Sequence, residues 1–339
     1  MKAFSPHRCH QRLLDATRPA LAYAPGVDCA AWRTALGEKL RELVGLMPRR
    51  LPLRLRMEER QEQEGYWERR FVFRAEVGAA VPCHLLVPKR ARRPPPVMIC
   101  LQGHSTGMHI SLGRPRYQGD EASIEGGRDF ARQAVQEGFA ALVLEQRCFG
   151  ERRDARPRRA RQIKHTCTHA AMAALLLGRT MIGERVWDVC RAIDALAEFP
   201  EVDSSRVACM GNSGGGTITY YAACLEPRIG AAMPSCAVCT YRDSIGRIDH
   251  CVDNYLPGAL RYFEMGDLAG LIAPRPLVVV AGQHDGIFPL PGVEASFHTI
   301  QQVYQAAGQP GRCRLVVGPE GHRFYPEQAW PVFRELAGW

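Results

Sequence analysis

No stretch of this chain approaches the roughly 18 consecutive apolar residues that a membrane-spanning helix needs, so a membrane span is excluded. The opening residues, Met1-Lys2-Ala3-Phe4-Ser5-Pro6-His7-Arg8, lack the apolar core of a secretory signal, and the expectation is a cytoplasmic protein. Internal repeats are absent, which excludes a repeat architecture, and no interdomain linker interrupts the chain. The formal charge of +9 comes with no RNA- or DNA-binding motif, so no nucleic-acid partner is expected. One CxxC, Cys236-Ala237-Val238-Cys239, has His250-Cys251 beyond it but no second CxxC to complete a zinc pattern. His165 and His169, four residues apart, have no carboxylate beside them. The expectation is therefore no metal and no cofactor.

What the chain does have is a large apolar fraction and much cysteine. Over 339 residues it is 46% hydrophobic and 23% charged, enough for a sizeable core in one large domain or two small ones. The cysteines number thirteen, odd and scattered, and several (Cys100, Cys190, Cys209, Cys224) sit inside apolar runs. There a reduced thiol behaves as a small hydrophobe, and a reducing compartment fits.

Residues 1–65 read as a helical, polar extension packed on the main domain, with Trp32, Leu36, Leu40, Leu43 and Val44 at helical spacing. From residue 66 the pattern changes. Arg70–Arg74 and Val81–Val87 predict a hairpin through Gly78. Val97–Leu101, Phe139–Leu144, Val207–Met210, Ile229–Met233, Pro276–Val280 and Arg314–Val317 read as buried strands. Helical patterns alternate with them, at Gly127–Gly138, Met181–Phe199, Thr217–Leu225, Val293–Ala307 and Pro326–Leu336. That alternation predicts an α/β fold with a mostly parallel, doubly wound sheet flanked by helices over residues 66–339.

Chemistry centres on Gly211-Asn212-Ser213-Gly214-Gly215, a G-x-S-x-G between a strand and a helix. Read alone, it is either a glycine-rich turn with an incidental serine or a nucleophile elbow. In an elbow the strained turn exposes the Ser213 hydroxyl, and the Gly214 N–H, at a helix N-terminus, faces an oxyanion. Two further residues follow strand ends in the order the elbow requires: Asp285 after Val278–Val280 and His322 after Leu315–Val317. The serine hydroxyl needs a base, His322, and the base needs an acid, Asp285, to fix its tautomer. Asp267 and Asp243 are the fallback acids. The loop after Leu101 (Gln102-Gly103-His104) offers the backbone N–H of His104 as second oxyanion donor; the His104 side chain reads as structural rather than as a substrate contact.

With these residues in hand the chain resembles an α/β-hydrolase, of the acetyl xylan esterase and dienelactone hydrolase-like bacterial branch. The resemblance covers about residues 65–339 and rests on Gln102-Gly103-His104, Glu145-Gln146-Arg147-Cys148-Phe149-Gly150, the elbow, Ala273-Pro274-Arg275-Pro276 and Gly321-His322. It implies an α/β-hydrolase fold and ester hydrolysis without a cofactor. The chain departs from the family at two points: Gln102 stands where the family has His, and Cys148 where it often has the first glycine of Arg-Gly-x-Gly.

Arg147 opens a basic run through Arg152, Arg153, Arg156, Arg158, Arg159 and Arg161 to Lys164. It reads as a solvated loop or, more sharply, as a site for an acidic substrate group. Arg147 is accordingly a candidate substrate contact, as is Tyr255 in the segment 249–260, a prospective lid. Tyr262, Phe263 and Met265 suit an acyl pocket, though aromatic residues at such spacing are more often simply core. The expectation is a serine esterase acting on a small-molecule ester, a small acyl or acetyl ester of a sugar or an acidic compound. A homo-oligomer is compatible with it. The alternatives are a serine peptidase of prolyl-oligopeptidase type, a non-catalytic binding protein on the same fold, and a zinc or thiol redox protein built on Cys236 and Cys239.

Overall fold

The apolar runs become strands with two buried faces. In the computed structural model, which describes residues 4–91, 93–154 and 167–339, the strand over Pro96–Leu101 is buried from Val97 onward. Val97, Ile99 and Leu101 enter one core, and Met98 and Cys100 enter another on the opposite face. This is the period-2 geometry of a strand sandwiched between helical layers.

Nine strands are described: β1 (Arg56–Glu62), β2 (Tyr66–Glu76), β3 (Ala79–Pro88), β4 (Pro96–Leu101), β5 (Ala140–Leu144), β6 (Asp203–Asn212), β7 (Ile229–Ser235), β8 (Leu277–Gly282) and β9 (Cys313–Gly318). They form one sheet in the order β1-β2-β3-β5-β4-β6-β7-β8-β9. The β1–β2, β2–β3 and β3–β5 pairs are antiparallel, and all later pairs are parallel. The expected hairpin is β2–β3, turning at Gly78 with φ of 79°.

The helices are α1 (Pro6–Ala16), α2 (Cys29–Val44), α3 (Asp120–Ser123), α4 (Phe130–Gln136), α5 (Cys167–Leu176), α6 (Met181–Ala195), α7 (Gly214–Leu225), α8 (Leu290–Ala306) and α9 (Pro326–Ala337). The larger core lies between one sheet face and α2, α6, α7 and α8; the smaller lies between the other face and α4 and α9. Local capping sets where two of these helices start. Asp28 Oδ1 accepts from the N–H groups of Ala30 (3.0 Å) and Ala31 (3.2 Å) at α2, and Thr180 Oγ1 from Gly183 N–H (3.0 Å) at α6.

The reading of residues 1–65 as a helical extension needs one correction. The second helix ends at Val44, where Gly45 closes it, but residues 56–62 form β1, part of the same sheet. β1 is an edge strand of sequence Arg-Met-Glu-Glu-Arg-Gln-Glu and is almost wholly exposed. Charged side chains suit a solvated edge, and they leave no apolar alternation to read. Arg156, Arg158, Arg159, Arg161 and Lys164 of the basic run, and His165 of the histidine pair, lie outside the described residues. Among the described residues no helix is long and apolar enough to cross a membrane.

Candidate active site

β6 ends at Asn212, α7 begins at Gly214, and Ser213 is held between them at φ 59° and ψ −128°. A non-glycine residue there is strained, and the flanking packing keeps it so. A Cβ on Gly211 would come 2.6 Å from the Leu101 and Gly215 carbonyl oxygens, and one on Gly215 would come 2.1 Å from Leu101 O. The two outer glycines of the motif are thus required by close backbone approach. Ser213 N–H donates to Ser235 O of the neighbouring strand at 2.9 Å. Gly214 is the first residue of α7, so its N–H has no acceptor within the helix.

β4 pairs with β6, so the loop after Leu101 runs against the elbow. A Cβ on Gly103 would meet Asn212 O at 2.6 Å, Ser213 Cβ at 2.9 Å and Gly214 N at 3.2 Å. His104 follows on this loop, with Nδ1 3.2 Å from where a Cβ on Gly214 would be. Its Nε2 lies 3.1 Å from both carboxylate oxygens of buried Asp253. Burial works to lower the His104 pKa, but the Asp253 charge outweighs it and holds the imidazole up to about 9. The two departures from the family pattern have structural explanations. Buried Gln102 donates through Nε2 to Ser111 Oγ (2.7 Å) and Arg128 O (2.6 Å), tying the loop down. Cys148 has φ of 72°, the left-handed region that explains why glycine suits the position.

At the far side, β8 and β9 deliver the other two residues. His322 Nδ1 is 2.8 Å from Asp285 Oδ2. The other oxygen, Oδ1, accepts from the N–H groups of Ile287 (2.8 Å) and Phe288 (3.1 Å). Burial favours the neutral acid, but the His322 hydrogen bond prevails and keeps the Asp285 carboxyl below its ordinary value. The Phe288 ring stacks on the imidazole at 5.9 Å and 14°. Cys236, next in sequence to the Ser235 that accepts from Ser213, is at φ 46°, and its sulfur shares a space under 4.8 Å across with the donor atoms of Asp285 and His322. Burial pushes that thiol up to about 12, so it is neutral at pH 7.

The elbow serine thus follows β6 and the His–Asp couple follows β8 and β9. Residues 2–319 match the Abhydrolase family. The chain belongs to the Abhydrolase family. It is 26% identical over 296 residues to YtaP of Bacillus subtilis (strain 168), itself named only as a candidate hydrolase, covering 84% of this chain and 92% of that protein. Its fold is similar to that of a candidate acetyl xylan esterase of Bacteroides fragilis NCTC 9343 (TM-score 0.78, 17% identity, 94% of this chain and 82% of that one). It is also similar to the glucuronoyl esterase of Solibacter usitatus (TM-score 0.68, 16% identity, 95% and 97%).

Within this Abhydrolase site several expected roles do not hold. Arg147 is not available to a substrate: its guanidinium is engaged by Glu76 (2.7 Å), Glu184 (2.8 Å) and Asp188 (2.9 Å). Burial opposes its charge, but the Asp188 charge and its other partners raise its pKa well above normal. Arg152 joins the network through Asp188 at 2.7 Å. The Tyr255 hydroxyl donates to Ile245 O (2.8 Å), and the ring lines an apolar groove with Leu13 and Leu14 of α1, a lining that includes none of Ser213, His104, Asp285 or His322. Asp267 accepts from Tyr23 and Glu264 N–H groups (2.8 Å each) and Asp243 accepts from the Thr240 hydroxyl, whereas the carboxylate bonded to His322 is that of Asp285. Phe263 and Met265 are core residues, and Tyr262 packs against that core. The CxxC sulfurs part company, Cys236 toward Arg323 O and Cys239 toward Pro289 O.

Sequence reasoning missed Asp253, Arg185 and Cys167 around His104. The signal for Asp253 was the His250-Cys251 pair, which stands two residues before it but was read only against the CxxC.

Proposed function

We propose that the protein hydrolyses carboxylic esters through an acyl-enzyme, with Ser213 as nucleophile, His322 as general base and acid, and Asp285 as its orienting partner. What carries the reading is the 2.8 Å His322–Asp285 hydrogen bond, taken together with a serine held at φ 59° on a strand-to-helix elbow. Asp285 accepts a hydrogen bond from Nδ1–H and so fixes the tautomer, which leaves Nε2 to accept the proton of Ser213 as its oxygen attacks the ester carbonyl. The tetrahedral oxyanion is met by the N–H groups of Gly214 and His104, each such donor contributing about 2.7–4 kcal/mol to the barrier reduction. His322 then protonates the leaving alcohol, and water, activated by the same imidazole, releases the acid.

Esterase names among the structural neighbours support an ester over an amide, and small acyl esters, acetyl included, are the proposed substrates. A cytoplasmic setting is proposed from the thirteen cysteines, most of them buried. A fluorophosphonate probe tests the nucleophile. One adduct is expected on the intact mass of the wild type and none on Ser213→Ala. A folded wild type that takes up no probe overturns the reading. Acetyl, butyryl and uronate methyl esters, compared by kcat/KM, then rank the substrate class.

A further inference from the structure

Beside the elbow, three distant segments bring four metal-binding side chains into one partly buried space. His104 Nε2, Cys167 Sγ, Cys251 Sγ and an Asp253 carboxylate oxygen all lie within 4.8 Å of one another. His104 Nε2 is 3.1 Å from Asp253, and the two sulfurs are 3.2 Å apart. We propose that these four residues form a zinc site, Cys167, Cys251, His104 and Asp253, that clamps the oxyanion loop. It stands apart from the hydrolytic reading and requires no metal in the ester cleavage.

The donor set is the first argument. Two thiolates, an imidazole and a carboxylate around one point form a tetrahedral set that suits zinc better than the harder cations. With zinc–sulfur bonds of about 2.3 Å, the edge between two sulfurs is roughly 3.8 Å, and edges between nitrogen and oxygen are roughly 3.3 Å. The observed separations need only small outward movements to reach these. The sulfurs stand well beyond the disulfide distance of about 2.05 Å. The CxxC that drew attention in the sequence contributes neither ligand.

Charge balance is the second. Arg185 and Asp253 side chains are 1% and 0% exposed, and they pair at 2.7 Å. The Arg185 guanidinium also lies over the Phe149 ring, 4.5 Å from its centroid. With zinc, neutral imidazole and two thiolates, the charges of metal, carboxylate, thiolates and Arg185 cancel. Binding releases the two thiol protons and the Nε2 proton to solvent. Arg185 then acts as the outer partner of a ligating carboxylate, and Phe149, Ala171 and Met181 supply an apolar shell.

The position gives the site a task. His104 follows β4, Cys167 opens α5, and Cys251 and Asp253 belong to the segment between β7 and β8. Zinc would cross-link these three, fixing the loop whose backbone N–H is the second oxyanion donor. With Nε2 on the metal, the remaining ring proton sits on Nδ1, the nitrogen turned toward Gly214.

Elemental analysis of the full-length protein, purified without chelator and desalted, tests this. About one zinc per chain is expected for the wild type and for Cys239→Ser, and less than about a tenth for Cys167→Ser and Cys251→Ser. Stripped wild type should also take up Co²⁺ with the intense visible bands of a tetrahedral site and a thiolate-to-cobalt band in the near ultraviolet. That measurement does not depend on any variant folding. Stripped wild type that binds neither Zn²⁺ nor Co²⁺ while all thirteen thiols titrate overturns the proposal. So does an intact mass two hydrogens lower that maps to a Cys167–Cys251 disulfide.

Discussion

Asp285 has a fully buried side chain with three hydrogen-bond partners: the His322 ring and the backbone N–H groups of Ile287 and Phe288. An asparagine of the same shape cannot accept from all three, because its amide nitrogen presents N–H on one side. Asp285→Asn is therefore expected to lower kcat by about 10⁴-fold with little change in KM. Steady-state kinetics on an acetyl ester measure this, and a loss under tenfold would remove Asp285 from the mechanism. The placing of Ser213, Asp285 and His322 after strand ends was legible in the sequence, because strands were legible from their apolar runs. Arg147 was not: its position after β5 suggested a role in binding, while its partners Glu76, Glu184 and Asp188 come from β2 and α6. No local pattern announces an ion pair between elements.

Between elements, the contact that matters most is the loop after β4 against the β6–α7 elbow. Adding a methyl at Gly103 places carbon 2.6 Å from Asn212 O, a backbone atom that cannot swing aside. The loop must retreat, and the His104 N–H retreats with it. Gly103→Ala is expected to lower kcat by about 10²–10³-fold, the effect of losing one oxyanion donor. The accompanying destabilisation should be about 1–3 kcal/mol. Chemical denaturation alongside kinetics separates the two, and unchanged kcat in a stable variant would refute the close approach. The same scale shows why β1 escaped notice while β4 to β9 did not. An exposed edge strand carries charge on both faces, whereas a strand between helices must be apolar on both.

For the molecule as a whole, the sheet's switch of direction decides where everything meets. From β4 the chain turns one way to β5 and the other way to β6, and the crevice at their carboxyl ends holds the elbow and its loop. Glu145, just beyond β5, is buried there and accepts from the N–H groups of Met108 (3.0 Å) and Glu151 (3.3 Å). Burial pushes its carboxyl up to about 7. A folded-state pKa above the unfolded one means that the folded chain binds the proton more tightly. This contribution to stability is full below about pH 4.5 and is lost as pH rises through 7. Between pH 5 and 8 the wild type should thus lose about 2–3 kcal/mol relative to Glu145→Gln. Urea denaturation of both proteins at the two pH values checks it. Parallel pH profiles would place Glu145 at its ordinary pKa.

The sequence by itself determined the α/β alternation, the elbow and the order of serine, acid and histidine, because these depend on periodicities and on residues next to strand ends. Only the tertiary structure decided the rest. It enclosed Arg147 among carboxylates, turned Tyr255 toward α1, added β1 to the sheet edge, and gathered His104, Cys167, Cys251 and Asp253 around one point. Those outcomes depend on which segments pack together, and side chains far apart along the chain leave no mark of their meeting in the pattern around each.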